Sequence, residues 1–590
     1  MNKILSKRES NNSLSLKTNF LGFPVWLWMI FLFLALIKLW LVSEQSLTAY
    51  GDAGHDDKLF INLANNILSF QWLGEYSQMT LMKGPFYPMW IAFSHFLGIP
   101  LLVSQHFLYI DACLLLIISL RSFLSSKPFF TIFSYAIILF NPASYADGIS
   151  NRVIREGIYS SLTLLVIAFA FGLFLRFLSK EKNTYLWSIG LGISLSCFWL
   201  TREEGIWIVP LLIIIFIYLL IIIFIKYRKK EKGIVSDLII IFLPFFILGS
   251  SLSIVSLVNY MHYGILNTVE FKNKDFLRAY GSLTRIENSN WKQYVPVLKK
   301  TRMMAYEVSP KFAELEPYLE GDLGSGWASN AQKNPQTRNI DPSEIAGGWF
   351  MWAFRDAVAL AGHYKNGKET MNFYKQMAGE IDSACDNGKL DCLSNNQSMT
   401  PHWRNEYFSQ LVPCYVDTAK RTFFFSNMRS VSSPSAGEKS SLRLFQNITN
   451  EPIELVVDQQ SLDLLKEKAS KNINNDKSPN FKIKILGFIK NLYTYTFSPF
   501  LIISIVILFY KIFTRRMKDN DLTLIILSFA LILIVILRIL IITLIVVTSF
   551  PAVDILYTSP LYPPLLIFLL LPLLFDLQRK STKKDESLSY

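Results

Sequence analysis

The sequence predicts an all-α polytopic membrane protein, a bundle of about ten transmembrane helices with a mainly helical extracytoplasmic domain. Composition and patterning together predict this class. Of the 590 residues, 51% are hydrophobic and only 17% are charged. Runs of about 20 apolar residues recur along the chain, and each is long enough to cross the roughly 30 Å hydrocarbon core of a bilayer as a helix.

Ten apolar runs have the length of a membrane span. They cover residues 22–42, 100–120, 128–145, 157–178, 185–200, 205–225, 238–258, 493–510, 522–547 and 555–575. The apolar piece 86–97 is too short to cross and contains Pro88 and His95. It is therefore predicted to be an interfacial or re-entrant helix.

Basic residues fix the predicted orientation. With ten spans they fall on alternate connections, the distribution that marks the cytoplasmic side. The clusters are Lys3/Lys7/Arg8/Lys17, Arg121/Lys127, Arg176/Lys180/Lys182, Lys226/Arg228/Lys229/Lys230/Lys232, Lys511/Arg515/Arg516/Lys518 and Arg579/Lys580/Lys583/Lys584. Both termini are predicted to be cytoplasmic, and the active site periplasmic or extracellular, in an integral protein of a bacterial inner membrane. Because the net charge of +13 comes from these clusters, nucleic acid is excluded as a partner.

The spans divide the chain into three predicted domains. Residues 1–258 form an N-terminal transmembrane module whose first outer loop (43–99) is catalytic, and residues 493–590 form C-terminal transmembrane helices with a cytoplasmic tail. Residues 259–492 form an extracytoplasmic soluble domain, in which apolar residues at helical spacing (345–364 and 370–385) predict amphipathic helices. Cys385 and Cys392 flank a turn signal there, and a disulfide and two free thiols remain alternatives.

An acidic stretch follows the first predicted span and carries Asp52, Asp56 and Asp57. Carboxylates beside hydrocarbon are costly to hold, which makes them candidates for function. Beside an apolar wall, such a group can accept a proton from an incoming hydroxyl. Aspartate also favours the N-cap of a helix by about 1 kcal/mol, so a capping role stays open.

The order of the next residues resembles a known family. Asp56-Asp57-Lys58-Leu59-Phe60, a Trp72-Leu73-Gly74 turn and then Lys83-Gly84-Pro85-Phe86-Tyr87-Pro88 are similar to the first outer loop of GT-C superfamily membrane glycosyltransferases, in the branch of the aminoarabinose transferases and protein O-mannosyltransferases. The resemblance implies a GT-C-like helix bundle. It also implies that Asp56 is the catalytic or acceptor-orienting carboxylate, that Asp57 takes the second place, and that Lys83 faces the donor phosphate.

The chain departs from the family pattern at three positions. Phe60 stands where the family has Tyr, Gly84 replaces the first proline of a Pro-Pro pair, and Met82 stands where some relatives carry a metal-binding acid. Metal ligands therefore stay unassigned, a divalent cation remains an open alternative, and no other cofactor is expected.

Further charged and aromatic residues complete the predicted site. Guanidinium groups grip phosphate oxygens bidentately, which makes Arg152 and Arg155 candidates for the donor phosphate, with a salt bridge inside their loop as the alternative. Arg538 lies within a predicted span at a cost of at least about 2.5 to 3.5 kcal/mol, so it binds either the phosphate or a buried partner. The candidate acceptor or sugar contacts are Asp52, Glu156, Tyr87 and Trp349, although Trp349 at helical spacing also suits a core.

These residues predict a membrane glycosyltransferase that moves a sugar from a polyprenyl-phosphate-linked donor to an extracytoplasmic lipid, glycan or protein acceptor. Membrane lipids are expected partners as well. Two other classes remain: a transporter or flippase of lipid-linked glycans, and a non-catalytic membrane scaffold. No internal repeat of the kind common in transporters is evident in the sequence.

Overall fold

The structure is a computed structural model that describes residues 19–287, 290–394, 398–453, 480–514 and 519–575. The predicted basic clusters at both termini and at Arg515, Arg516 and Lys518 lie outside these ranges. Within them the chain is mostly helical, as predicted, and a short hairpin of β1 (Asn19–Phe20) and β2 (Phe23–Pro24) precedes the first helix.

The helices fall into an apolar set and a more polar set. The first runs along residues 25–263 and comprises α1 (Val25–Val42), α2 (Asp57–Leu68), α3 (Phe86–Phe96), α4 (Leu101–Ser119), α5 (Arg121–Leu124), α6 (Pro128–Leu139), α7 (Glu156–Leu178), α8 (Thr184–Thr201), α9 (Val209–Arg228) and α10 (Ile234–Tyr263). The second comprises α11 (Lys274–Thr284), α12 (Lys299–Val308), α13 (Pro310–Ala313), α14 (Glu316–Leu319), α15 (Asp322–Gln332), α16 (Trp349–Leu360), α17 (Gly367–Asp386), α18 (Phe408–Phe423) and α19 (Lys439–Thr449). Apolar helices return as α20 (Phe481–Phe513), α21 (Asp519–Thr548), α22 (Ile555–Thr558) and α23 (Tyr562–Leu570).

Nine helical segments of the described chain are long and apolar enough to cross a membrane, which fits an integral membrane protein. The sequence predicted ten. The missing span is 128–145, where α6 has only 12 residues and so a length of about 18 Å. The helix ends because Asn141 turns the chain into a 3₁₀ turn, Pro142–Ser144, with its side chain accepting from the Ala143 N–H.

The chain between Lys127 and Asp147 nevertheless passes from one end of the bundle to the other. Before it, Arg121 pairs with Glu181 in the turn between α7 and α8. After it, Asp147 Oδ1 accepts from Ser433 N at 2.9 Å, beyond the opposite end of α7. The predicted tenth span is therefore a short helix continued by non-helical backbone.

A buried lysine, which was not identified from the sequence, stabilises the backbone where α6 ends. Lys38 of α1 is fully buried, and its Nζ donates to the carbonyl of Leu139 at 3.0 Å and to Ser144 Oγ. The last carbonyls of a helix lack intrahelical partners. Because backbone polar groups in an apolar layer must be satisfied, Lys38 allows α6 to end inside the bundle.

The polar set of helices has its own apolar core. Within it Glu270 and Arg355 form an ion pair at 2.6 Å with both side chains fully buried. Tyr76 from the first loop donates to Glu270 at 2.6 Å, which joins that loop to this core. The apolar helices that flank the region reach further into it than predicted, since α10 ends at Tyr263 and α20 begins at Phe481.

Cys385 and Cys392 form a disulfide, which resolves the alternative left by the sequence. The bridge closes a short loop at the end of α17, and Leu393 N donates to the Arg285 carbonyl beside it. The disulfide and this hydrogen bond together connect the segment after α17 to the end of α11.

Replacing Cys392 by Ser should lower the free energy of unfolding by about 2 to 3 kcal/mol, because the reduced loop regains chain entropy. The measurement is thermal unfolding of the purified protein with and without reductant. Cys414→Ser, at a free thiol in the same region, is the matched control and should leave the transition unchanged. Equal transitions for wild type and Cys392→Ser would contradict the expectation.

Candidate functional site

Three segments distant in sequence meet at one end of the apolar bundle, which we call the loop face: residues 43–57, 147–156 and 201–204. Thr48 N donates to Asn151 O at 2.7 Å, and Gly51 N donates to Ala436 O at 2.7 Å. These backbone contacts fix the first loop against the start of α7 and against the segment before α19.

Asp57 is the most firmly held acid of the loop face. It is the first residue of α2 and is fully buried. Arg152 binds it with both Nε and Nη2, at 2.9 and 2.7 Å, and stacks on the Tyr50 ring with its Cζ 5.0 Å from the centroid. Burial raises the pKa of the Asp57 carboxyl to about 6, against the opposing effect of Arg152. Both oxygens are therefore occupied by the guanidinium.

Asp56 is held differently. It occupies the N-cap position of α2, but its side chain makes no capping bond within the described chain and instead forms an ion pair with Lys83. The Asp56 side chain is 53% exposed, whereas that of Lys83 is 8% exposed. Burial opposes ionisation of Asp56, but the Lys83 ammonium outweighs it and lowers the pKa of Asp56 to about 2. A charged and accessible carboxylate results.

Gly84 explains one departure from the family pattern. Its N–H donates to Glu203 Oε1 at 3.0 Å, a bond that proline has no N–H to make. A Cβ at this position would lie 2.0 Å from the carbonyl oxygen of Leu200. The glycine thus lets the segment after Lys83 pack directly on the end of α8.

The turn after α8 takes part in the same network. Arg202, Glu203 and Glu204 were not among the predicted site residues. Glu203 pairs with Arg155 at 2.8 Å. Arg202, whose side chain is 2% exposed, binds Glu156 at 2.6 Å and Glu204 at 3.2 Å.

Arg538 reaches this turn from the middle of α21. Its Nη1 contacts Glu204 at 3.4 Å and its Nη2 donates to the Tyr557 carbonyl at 3.2 Å. Its Nε, also buried, has no hydrogen-bond partner among the described residues. Arg538 therefore has an acid and a backbone carbonyl as partners, in line with the protein partner that was the alternative to a phosphate.

The ionic side chains at this end of the bundle fall into three neighbouring groups, which we together call the charge cluster. They are the pair Asp56–Lys83, the pair Asp57–Arg152, and a network of Arg155, Glu156, Arg202, Glu203, Glu204 and Arg538. Acidic and cationic members are equal in number, so each buried charge has a counter-charge nearby. An anionic ligand would have to compete with the carboxylates for these cations.

The other predicted site residues lie in different surroundings. Tyr87 is fully buried against the Phe60 ring, and its hydroxyl has no partner in the described part of the chain. Asp52 is exposed and outside the charge cluster. Trp349 stacks on Trp327 with ring centroids 5.3 Å apart and packs in the core of the polar helices, away from the ionic network. Its packing role is thus the stronger of the two alternatives.

His55, which the sequence analysis did not consider, connects these two regions. Its ring packs edge-on against Trp327 and Trp352, at centroid distances of 4.9 and 4.6 Å. Its Nε2 lies 3.6 Å from Asp356 Oδ2, which also accepts from Trp327. An aromatic wall therefore begins one residue before Asp56. Its only sequence signal was a histidine inside the acidic stretch.

Within the described ranges no group of three or more His, Cys, Asp or Glu side chains is arranged to hold a metal ion. Comparisons with protein-family profiles, with curated proteins and with solved structures found no match to this chain.

Arg152→Met should lower the free energy of unfolding by about 3 to 5 kcal/mol, because it leaves the buried Asp57 carboxylate without its cation. Adding Asp57→Asn should recover much of the loss. The exposed pair Arg421–Asp417 supplies the control, since Arg421→Met should cost at most about 1 kcal/mol. Thermal unfolding in detergent measures all three variants beside the wild type. A single-variant loss no larger than the control would show that the pair is dispensable.

Proposed function

We propose that the protein is a GT-C-like membrane glycosyltransferase that moves a sugar from a polyprenyl-phosphate donor to a hydroxyl of an acceptor at the loop face. The observation that carries the proposal is Asp56, an ionised and half-exposed carboxylate held by Lys83 beside guanidinium groups at the end of an apolar bundle. A lipid-linked phosphate needs such cations, and an acceptor hydroxyl needs such a base.

The reaction breaks one bond and forms one. The acceptor oxygen bonds to the anomeric carbon of the donor sugar, while the bond from that carbon to the phosphate oxygen breaks. The phosphate oxygen leaves with the bonding electron pair, and the acceptor proton passes to the Asp56 carboxylate. Preorganised cations aimed at the leaving group stabilise the charge that grows there.

Lys83 is the cation best placed to meet the donor phosphate. Arg152 is committed to the buried Asp57 and Arg202 to the buried Glu156, while Arg155 is committed to the partly buried Glu203. The partner of Lys83 is the exposed Asp56, so a phosphate can take over the ammonium without leaving a carboxylate buried and unpaired.

This exchange would also activate the base. While Lys83 holds Asp56, the pKa of the carboxyl is too low for efficient proton transfer at neutral pH. Once the phosphate engages Lys83, burial acts on Asp56 with less opposition, and its pKa rises. The base would then gain proton affinity only when a donor is in place.

The remaining acids have supporting roles in this proposal. Asp57, bound through both oxygens, fixes the start of α2 and so the position of Asp56. Glu203 orients Gly84 and Arg155 together. The buried and unpartnered Tyr87 hydroxyl remains available to hydrogen-bond a bound substrate.

Asp56→Asn should reduce transfer by about 10²- to 10⁴-fold, because the amide cannot accept the proton. The assay follows conversion of polyprenyl-phosphate sugars by mass spectrometry, in cells and with purified protein in lipid vesicles. Glu75→Gln, an exposed acid of the same loop, is the control and should match wild type.

Two outcomes would contradict the proposal. Full activity in Asp56→Asn would show that Asp56 is not the base. Lipid-linked sugars that cross the vesicle membrane without any product forming would identify a flippase instead.

Lys83→Met should move the acid limb of the transfer rate to higher pH. Removing the ammonium leaves burial as the main influence on Asp56, so the pKa of its carboxyl rises and the base is lost by protonation at a higher pH. Lys83→Arg keeps the charge and should retain the wild-type limb. The measurement is kcat/KM against pH for the three proteins. An unchanged limb in Lys83→Met would show that Lys83 does not tune the base.

A further inference from the structure

A second cleft opens among the polar helices, where they meet the end of α21. It is open to solvent at its mouth and is lined by residues of the segments 280–296 and 393–407, by Gly348, and by Thr548 and Ser549 where α21 ends. We call it the Trp291 cleft, after the residue that stacks beneath Arg404. Gln293 anchors its edge to α21 by donating to the Val547 carbonyl at 2.8 Å.

Aromatic rings form one wall of the Trp291 cleft. Trp291 meets the Tyr407 ring edge-on with centroids 5.6 Å apart, and Tyr294 lies beside them. Trp291 and Tyr294 are only half-buried, so each ring presents area to a ligand. Such rings offer a large contact surface at a small entropic cost, and they suit the apolar faces of pyranose rings.

Positive charge lines the rest of the cleft. Arg404 lies over the Trp291 ring with its Cζ 5.0 Å from the centroid, and Lys292 is exposed at the rim. In the described chain neither cation forms an ion pair. The nearby acids Asp341, which interacts electrostatically with Lys292, and Glu406, which interacts with Tyr407, do not line the cleft. Among the described residues, the formally charged side chains that line the cleft are therefore both cationic.

A buried nitrogen points to a missing partner. His402 Nε2 is inaccessible to solvent and has no hydrogen-bond partner among the residues described. Burial lowers the pKa of His402, and the guanidinium groups of Arg285 and Arg404 lower it further. An unsatisfied buried polar atom costs about 1–3 kcal/mol, and a ligand oxygen would satisfy it.

We propose that the Trp291 cleft binds a sugar residue that carries an anionic group, with its ring on Trp291 and its carboxylate or phosphate on Arg404 and Lys292. The proposal that this cleft binds a sugar does not depend on transferase activity. The further proposal that it serves as an acceptor subsite rests on the proposed function. Contacts lead from the cleft to the loop face through Gly348, the stacked Trp349 and Trp327, and His55 beside Asp56.

The test uses full-length protein in detergent and saturation-transfer NMR with three probes at millimolar concentration. The probes are a galacturonic acid trimer, its methyl ester, and mannose 6-phosphate. The two anionic probes separate a carboxylate from a phosphate source, and the ester keeps the ring while it removes the charge. We expect binding of at least one anionic probe, weakened by added salt, and binding of the ester at least about 10-fold weaker.

Variants locate the binding in the cleft. Arg404→Gln should weaken the anionic probe about 10-fold or more, and Arg404→Lys should restore part of it. Trp291→Ala should reduce saturation transfer to the ring protons. Phe70→Ala, at an exposed ring that does not line the cleft, is the control, and thermal unfolding verifies that each variant is folded.

Three results would overturn the proposal: no binding of either anionic probe, equal binding of the methyl ester, or an affinity that Arg404→Gln leaves unchanged. Asp56→Asn separates this proposal from the proposed function. It should retain the binding and lose transfer, whereas binding without transfer in wild type would reject the transferase alone.

Discussion

The Asp57–Arg152 ion pair is the contact on which the rest of the loop face depends. It joins the first residue of α2 to the segment before α7, and one of its carboxylate oxygens lies 2.7 Å from the guanidinium. Desolvating two charges is costly, and such a pair is retained only where geometry and further contacts compensate it. Because Asp56 precedes Asp57 directly, this ion pair also fixes the position of the accessible Asp56 carboxylate.

Two kinds of ion pair occur around the Asp57–Arg152 pair at the loop face. Guanidinium groups that are at most 20% exposed bind acids that are less exposed than Asp56, and these contacts fix the segments to one another. The contact between Asp56 and Lys83 joins an exposed acid to a buried cation, so it can be exchanged at low cost. Function is therefore proposed for the pair whose acid is the most exposed of the charge cluster.

Several residues of the loop face could be predicted from the sequence. Charged residues next to apolar runs are rare, and those that occur commonly have a function. Asp56 and Lys83 were identified through the resemblance to the first outer loop of GT-C glycosyltransferases, and Arg152 from its guanidinium group in a predicted outer loop. The structure brings them together. The choice of partners was not predictable, since Asp57 and Arg152 are 95 positions apart and local periodicity carries no such information.

The errors have the same origin. Arg202 and Glu204 were not predicted as site residues, because their partners Glu156 and Arg538 are distant in sequence. The span predicted at 128–145 followed hydropathy alone, whereas Lys38 on another helix satisfies the backbone where α6 stops. At these positions the structure is therefore determined by contacts with residues distant in sequence, which composition and local pattern do not predict.

The most direct test of the account is a structure of the protein with a bound polyprenyl phosphate. The account predicts a phosphate oxygen about 2.7–2.9 Å from Lys83 Nζ, with Asp56 released from the ammonium and facing the space above the phosphate. A phosphate bound elsewhere, with the Asp56–Lys83 pair intact, would contradict it.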